Sequence, residues 1–265
     1  MKKVKFSKMV ASGNDFLVIE NQKSKIESRR LSDLAEKICN RTYGLGADGL
    51  LVLEKSRIAD TRMRIFNADG SEAEMCGNGA RCTALYVGKR NTKIETKAGI
   101  IESRVKAEIV KIRLTDPKDI KLNLQIKLFN RRLKVNYIDT GVPHVVIFVA
   151  GLDHIDVKMI GRALRYHKKF SFRGTNVNFV EVQLPDAIRL RTYERGVEDE
   201  TLACGTGSVA SALIFSLKTG INRQIKLLTE SGEILKVYFR REKNNFKDVW
   251  LEGKASLIYK GECYV

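Results

Sequence analysis

The tetrapeptide Cys-Gly-x-Gly occurs twice, as Cys76-Gly77-Asn78-Gly79 and as Cys204-Gly205-Thr206-Gly207. Each copy leads into a stretch of small and apolar residues, NGARCTALYVGKR after the first and TGSVASALIFSLKTG after the second. A helix built from either stretch is apolar on all sides, and such a helix must be enclosed by other structure. The enclosure is present in the sequence. KVKFSKMV, RMRIF, KIETK, IESRVKAEIVKIRL, LKVNYIDT, IRLRTYE and EILKVYFR alternate apolar and polar residues and read as half-buried strands. Two more helices are expected in LSDLAEKICN, with Ser32 as N-cap, and in IDVKMIGRALRYH. The two cysteines stand about half the chain apart, and both have a glutamate four positions earlier, Glu72 and Glu200. The expectation is an α+β chain with a duplicated plan: two similar, pseudo-symmetric lobes, each a set of strands around one central helix, with a site in the crevice between them.

The totals are compatible with that plan. A chain of 265 residues, 43% hydrophobic, can fill one large core or two smaller ones. Its 3 prolines and lack of low-complexity tracts leave no obvious flexible linker. The opening MKKVKFSKMVASGNDF has positive charges without the apolar stretch of a signal peptide. No apolar run approaches the ~20 residues that span a bilayer, so no membrane association is expected. Five cysteines, an odd number without scaffold-like spacing, suit a reducing compartment and so a cytoplasmic location. The surplus of 48 Lys+Arg over 31 Asp+Glu gives +17. Those basic residues are scattered through strands and helices alike, with no helix-turn-helix, zinc-finger or stacked-aromatic pattern. The charge therefore points to a basic background or to steering of an anionic substrate rather than to nucleic acid.

A cysteine at the start of a buried helix has a specific chemistry. The first amides of a helix lack internal acceptors and carry partial positive charge, which favours a thiolate over a thiol. The flanking glycines leave those amides open to an anion. Each Cys-Gly-x-Gly turn thus offers a base and an anion clamp together. Two such turns facing one carbon could remove a proton from one side and deliver one to the other, exchanging roles in the reverse direction. Charge developing on a carboxylate would fall to amides such as those of Gly77, Asn78, Gly205 and Thr206. No pyridoxal phosphate is required. Other patterns carry less. GLGADG at 44–49 follows a helix and precedes a strand, the reverse of a dinucleotide fingerprint. The spacing of Cys76 and Cys82 does not suit zinc, and no metal is expected. A Cys–His hydrolase using Cys76 and His144 would leave the second turn unexplained. Cys39, Cys82 and Cys263 read as structural thiols, and His154 and His167 as surface or structural residues.

Six segments, in order, resemble the diaminopimelate epimerase family: FSKMVASGNDF (6–16), GADGLLVLE (46–54), FNADGSEAEMCGNGARC (66–82), TGVPH (140–144), GTNVNFVE (174–181) and YERGVEDETLACGTG (193–207). The resemblance covers nearly the whole chain. It implies paired barrel-like shells, residues 1–116 rejoined by the returning strands 251–265 and residues 117–250, with the site in the inter-lobe cleft. It implies cofactor-independent epimerisation of LL- to meso-diaminopimelate, a small-molecule substrate of lysine and cell-wall precursor synthesis. Carried over residue by residue, Cys76 and Cys204 are the acid/base pair, with His144 and Glu194 as their helpers. Asn14, Asn67, Asn176, Glu194 and Arg195 hold the distal amino-acid end, and Gly77, Asn78, Gly205 and Thr206 receive the reacting carboxylate. A related two-thiol racemase of proline, hydroxyproline or histidine is the nearest alternative, and a basic RNA-binding protein is the alternative of another class. Oligomeric state stays open, with a homodimer as one expectation.

Overall fold

A computed structural model describes residues 3–21, 26–170, 172 and 174–264. The fold is mixed α+β, rich in strands and sparing in helices. The chain forms two compact units, Met1–Ile112 with Gly253–Val265, and Arg113–Glu252.

In the first unit β1 (Lys3–Ala11) turns at Ser12 and Gly13, both at positive φ, into antiparallel β2 (Asn14–Glu20). Helix α1 (Leu31–Cys39) crosses over to β3 (Gly49–Glu54), which runs parallel to β2. Strand β4 (Thr61–Asn67) returns antiparallel, and the two-residue β5 (Glu72–Ala73) pairs with it. Helix α2 (Gly77–Val87) then leads to β6 (Asn91–Thr96), parallel to β4, followed by antiparallel β7 (Gly99–Lys106) and β8 (Ile109–Arg113).

The second unit repeats this order. Strands β9 (Lys118–Leu128), β10 (Arg131–Asp139) and β11 (Pro143–Phe148) run antiparallel. Helix α3 (Val157–Arg165) crosses to β12 (Asn176–Leu184), parallel to β11. Strand β13 (Ala187–Glu194) returns, the short β14 (Asp199–Thr201) pairs with it, and α4 (Gly205–Thr219) follows. The unit ends with β15 (Ile225–Leu228), parallel to β13, then β16 (Ile234–Glu242) and β17 (Asn245–Lys254). The last strand, β18 (Ser256–Tyr264), pairs with β1 just as β9 pairs with β10. Every pairing in one unit therefore has a counterpart of the same sense in the other: β18-β1-β2-β3-β4-β6-β7-β8 matches β9-β10-β11-β12-β13-β15-β16-β17.

Each unit buries its inner strands on both faces, which explains their near-continuous apolar runs. One face of the first unit packs Val4, Phe6, Leu17 and Ile19 on Leu31, Leu34, Ala35 and Ile38 of α1. The matching face of the second packs Val145, Ile147, Val177 and Phe179 on Val157 and Leu164 of α3. The opposite faces cover α2 and α4, whose small residues permit a close fit. In α4 every residue from Gly207 to Ser216 is buried, as expected of a helix without a polar face.

One local expectation fails. Ser32 does not cap α1; the helix begins at Leu31 behind a 3-10 turn over Ser28–Arg30, with Arg30 at the N-cap and no side-chain cap. The Ser32 hydroxyl instead donates to the Gly70 carbonyl at 2.7 Å. A tertiary hydrogen bond to the β4–β5 turn has displaced the local one. Among the described residues, no helix is long and apolar enough to cross a membrane.

Truncation of Leu213, fully buried in α4, should cost about 2–5 kcal/mol as Leu213→Ala. The same change at Leu228, 38% exposed, should cost less than about 1 kcal/mol; equilibrium denaturation compares the two.

Candidate active site

The two glutamates that precede the cysteines do the same job in each unit. Arg64 on β4 grips Glu72 on β5 through two N–H···O bonds of 2.7 and 3.1 Å. Arg191 on β13 grips Glu200 on β14 through two of 2.7 and 2.8 Å. Phe66 pairs with Glu72 and Tyr193 with Glu200, so each arginine lies two residues before the partner of its glutamate. These forked pairs clamp a very short strand to a long one, and four residues after the clamped glutamate each unit reaches its cysteine. The fork, with help from Lys97, holds the Glu72 carboxyl down at about 2.

Both cysteines are N-cap residues with extended backbone: φ −138° and ψ 125° at Cys76, φ −116° and ψ 112° at Cys204. The Cys76 sulfur accepts from the Gly79 amide at 3.5 Å, and the Cys204 sulfur lies 3.5 Å from the Thr206 hydroxyl. Gly77 and Asn78, and likewise Gly205 and Thr206, hold the first amides of their helices, the ones a helix leaves without an internal acceptor. The second glycine of each turn sits on the sheet. A Cβ on Gly79 would meet Leu51 Cδ2 at 3.0 Å; a Cβ on Gly207 would meet Asn178 Oδ1 at 2.3 Å. At Gly207 there is no room for a side chain.

In the first unit, Asn78 donates to the side-chain oxygen of Asn14 at 2.5 Å, and Asn14 donates to Asp48 at 3.1 Å. Behind Asn78 the fully buried Arg81 donates to its oxygen at 2.8 Å and to Ser12 at 2.6 Å. Two expected site residues, Asn14 and Asn78, therefore touch. Asn67 instead is held in the β4–β5 turn, where its side chain donates to Ser71 Oγ at 2.9 Å and its carbonyl accepts from the Gly70 amide at 3.0 Å.

In the second unit His144, Asn176 and Glu194 form a row across the ends of β11, β12 and β13. His144 is the register partner of Asn176, and Glu194 follows the Tyr193 that pairs with Val177. Asn176 accepts from the Arg195 amide at 2.8 Å and donates to the Pro143 carbonyl at 3.2 Å, fixing the backbone on both sides of the row. His144 is fully buried, and its Nδ1 lies 3.1 Å from Nδ2 of Asn178. Burial, with a smaller push from the Arg195 charge, drives the His144 pKa down to about 3, so the ring is neutral at pH 7. Burial raises the Glu194 pKa, partly offset by a 3.0 Å hydrogen bond from Thr201. Among the described residues, no three His, Cys, Asp or Glu side chains are grouped to hold a metal ion.

Comparison with known proteins gives this arrangement a family. The family model for diaminopimelate epimerase matches residues 6–118 and 136–258. The chain belongs to that family. A diaminopimelate epimerase of Hydrogenobaculum sp. (strain Y04AAS1) is 40% identical over 272 residues, covering 96% of both chains. One of Methanocella arvoryzae is 41% identical over 283 residues, covering 100% of this chain and 98% of its own. Among solved structures, a phenazine biosynthesis protein of the PhzF family from Bacillus anthracis has TM-score 0.77 at 18% identity, each chain fully covered. A hydroxyproline epimerase from Agrobacterium vitis has TM-score 0.71 at 14% identity, covering 99% of this chain and 91% of its own. These last two likenesses speak for the fold alone.

Within this diaminopimelate epimerase family member, sequence reasoning passed over several polar residues that hydrogen bonds link, directly or through one another, to expected site residues: Ser12, Asp48 and Arg81 to Asn78 and Asn14 in the first unit, Asn178 and Thr192 to His144 in the second. A signal existed for two of them. Arg81 is a charged residue in the middle of an otherwise small and apolar helix, and Asn178 is a second asparagine inside an apolar strand.

Gly207→Ala should destabilise the protein by about 1–3 kcal/mol through the clash with Asn178. Gly77→Ala, whose Cβ would meet only Ile112 Cδ1 at 3.6 Å, should change stability by no more than about 0.5 kcal/mol; thermal or urea melts distinguish them. The His144 shift sets a pH dependence. An unfolded histidine takes up a proton near 6.5, which the folded one refuses until about 3. Folding stability should therefore fall as pH drops through that interval, at about 1.4 kcal/mol per pKa unit. His144→Gln should flatten the slope there in denaturation at fixed pH values.

Proposed function

We propose that this chain epimerises LL-2,6-diaminopimelate to the meso isomer by a two-thiol mechanism that uses no pyridoxal phosphate. The observation that carries the reading is the equivalence of Cys76 and Cys204, each the N-cap of a buried helix and each four residues beyond an Arg–Glu clamp. A single reactive thiol needs only one such device; a stereocentre inverted by two bases needs two.

In the proposed reaction one cysteine enters as thiolate and the other as thiol. The thiolate takes the α-proton, forming an S–H bond, while the C–H electron pair passes into an enolate-like carboxylate. The opposite thiol then gives its proton to the other face of the carbon and is left as thiolate, so the resting state returns with roles exchanged. The first amides of α2 and α4, at Gly77, Asn78, Gly205 and Thr206, are suited to stabilise the enolate oxygens; donors of this type are worth roughly 3–4 kcal/mol each in comparable sites. Glu194, with its raised pKa, can exchange a proton with a thiol or hold an ammonium. His144 is neutral and serves as a hydrogen-bonding helper. Asn14, Asn67, Asn176 and Glu194 can orient the distal amino-acid end, and Arg195 can fork onto its carboxylate. The reading requires both cysteines to reach opposite faces of one substrate carbon. It places the chain in the synthesis of lysine and cell-wall precursors.

The purified protein should invert diaminopimelate without added cofactor and leave proline, hydroxyproline and histidine unchanged. In D₂O, Cys76→Ser and Cys204→Ser should each lose nearly all inversion, with deuterium entering at the α-carbon of wild-type product. Near-full activity in either variant would sink the two-base mechanism. Inversion of one of the other amino acids in preference to diaminopimelate would sink the substrate.

A further inference from the structure

The scaffold repeats, but the sheet surface beneath the two cysteine turns does not. In the second unit, His144 faces Asn176 in the β11–β12 ladder, Asn178 is two residues further along β12, and Thr192 is the β13 partner of Asn178. In the first unit, Phe16 faces Gly49 in the β2–β3 ladder, Leu51 is two residues further along β3, and Ile65 is the β4 partner of Leu51. The apolar trio Phe16, Leu51 and Ile65 thus occupies the positions held by the polar trio His144, Asn178 and Thr192. Packing a glycine turn on this sheet needs nothing polar, as Leu51 beneath Gly79 demonstrates. The polar trio therefore calls for a reason other than support.

Its hydrogen bonds have a single consistent direction. The Val145 carbonyl lies 3.0 Å from one terminal atom of Asn178, and a carbonyl can only accept, so that atom is Nδ2. The other terminal atom is Oδ1, which accepts from the Thr192 hydroxyl at 3.0 Å. The second N–H of Nδ2 points at Nδ1 of His144, 3.1 Å away. An N–H there requires a bare Nδ1, and a neutral imidazole with a bare Nδ1 carries its proton on Nε2. Nε2 is buried and has no hydrogen-bond partner among the described residues. An orphaned buried donor carries an uncompensated desolvation cost, which the first unit avoids with Phe16.

We propose that Asn178, itself held by Thr192 and the Val145 carbonyl, is a positioning residue that locks His144 in the Nε2–H tautomer, so that the ring presents a hydrogen-bond donor at Nε2. The proposal rests on the functional reading above only in taking His144 as a helper of the thiol chemistry. It makes the two halves of the site chemically unequal: the second unit brings an oriented imidazole, and the first brings none at the matching position.

The tautomer can be read directly by nitrogen-15 NMR of the resting, full-length protein, which has only 3 histidines; His144→Gln assigns the signal. Wild type should show one tautomer at His144, protonated on Nε2. Asn178→Asp should move the proton to Nδ1 and lower kcat about 10- to 100-fold, with KM changed less than about threefold, the pattern of an effect confined to the transition state. Asn178→Leu, which copies the first unit, should abolish the tautomer preference with a similar loss. Thr192→Val should act in the same direction and more weakly. A wild-type proton on Nδ1 overturns the proposal without any variant. So does a folded Asn178→Leu or Asn178→Asp that keeps both the Nε2–H signal and wild-type kcat. If wild type fails to invert diaminopimelate, the functional reading falls, while the tautomer measurement still decides the role of Asn178.

Discussion

The closeness of a helix to a sheet is the constraint from which the rest of this molecule follows. Helices α2 and α4 are enclosed by strands, and their first turns touch the sheet so closely that Gly79 and Gly207 have little or no room for a side chain. That contact brings the helix start, with its unbonded amides and partial positive charge, down onto the ends of the strands. The N-cap residue is then held beside whatever the strand ends carry. In both units it is a cysteine, and the residues at those strand ends include Asn14, His144, Asn176 and Glu194. The Arg64–Glu72 and Arg191–Glu200 forks set where each short strand stops, and so where each helix can begin.

A duplicated scaffold would be expected to produce two equivalent half-sites, but the side chains break the equivalence. In the first unit a hydrogen-bonded chain runs from the Arg81 guanidinium through the amides of Asn78 and Asn14 to the Asp48 carboxylate. Cys204 begins its helix over a strand face bearing Asn178, His144 and Thr192. The two cysteines thus have different polar surroundings.

Much of the fold was legible because its strands alternate and its central helices do not. The runs RMRIF, KIETK and IRLRTYE gave β4, β6 and β13 through their period of two, and the stretches rich in small and apolar residues after each cysteine gave α2 and α4. The pairing was not legible in this way. Nothing in the alternation of β18 says that it adds to β1, or that β2 and β3 run parallel, because hydrogen-bond partners far apart in the chain leave little local trace. Ser32 illustrates the same limit at small scale: its local chemistry suits an N-cap, while a carbonyl brought in by the β4–β5 turn claims its hydroxyl. The candidate site was legible where residue type and a repeated motif mark it, as at Cys76 and Cys204. Arg81, Asn178 and Thr192 were passed over because their roles depend on which atoms face them.

By itself the sequence determined which groups are present and how often they recur: two cysteines at glycine turns, two buried helices and a surrounding stock of strands. Those follow from side-chain type and short-range periodicity, which any stretch of chain carries with it. The tertiary structure decided how each cysteine is served. Burial and the Arg195 charge leave His144 neutral, a carbonyl fixes which way Asn178 turns, and a forked arginine anchors each glutamate. Such properties belong to distances and directions between residues remote in the chain, and only folding sets them.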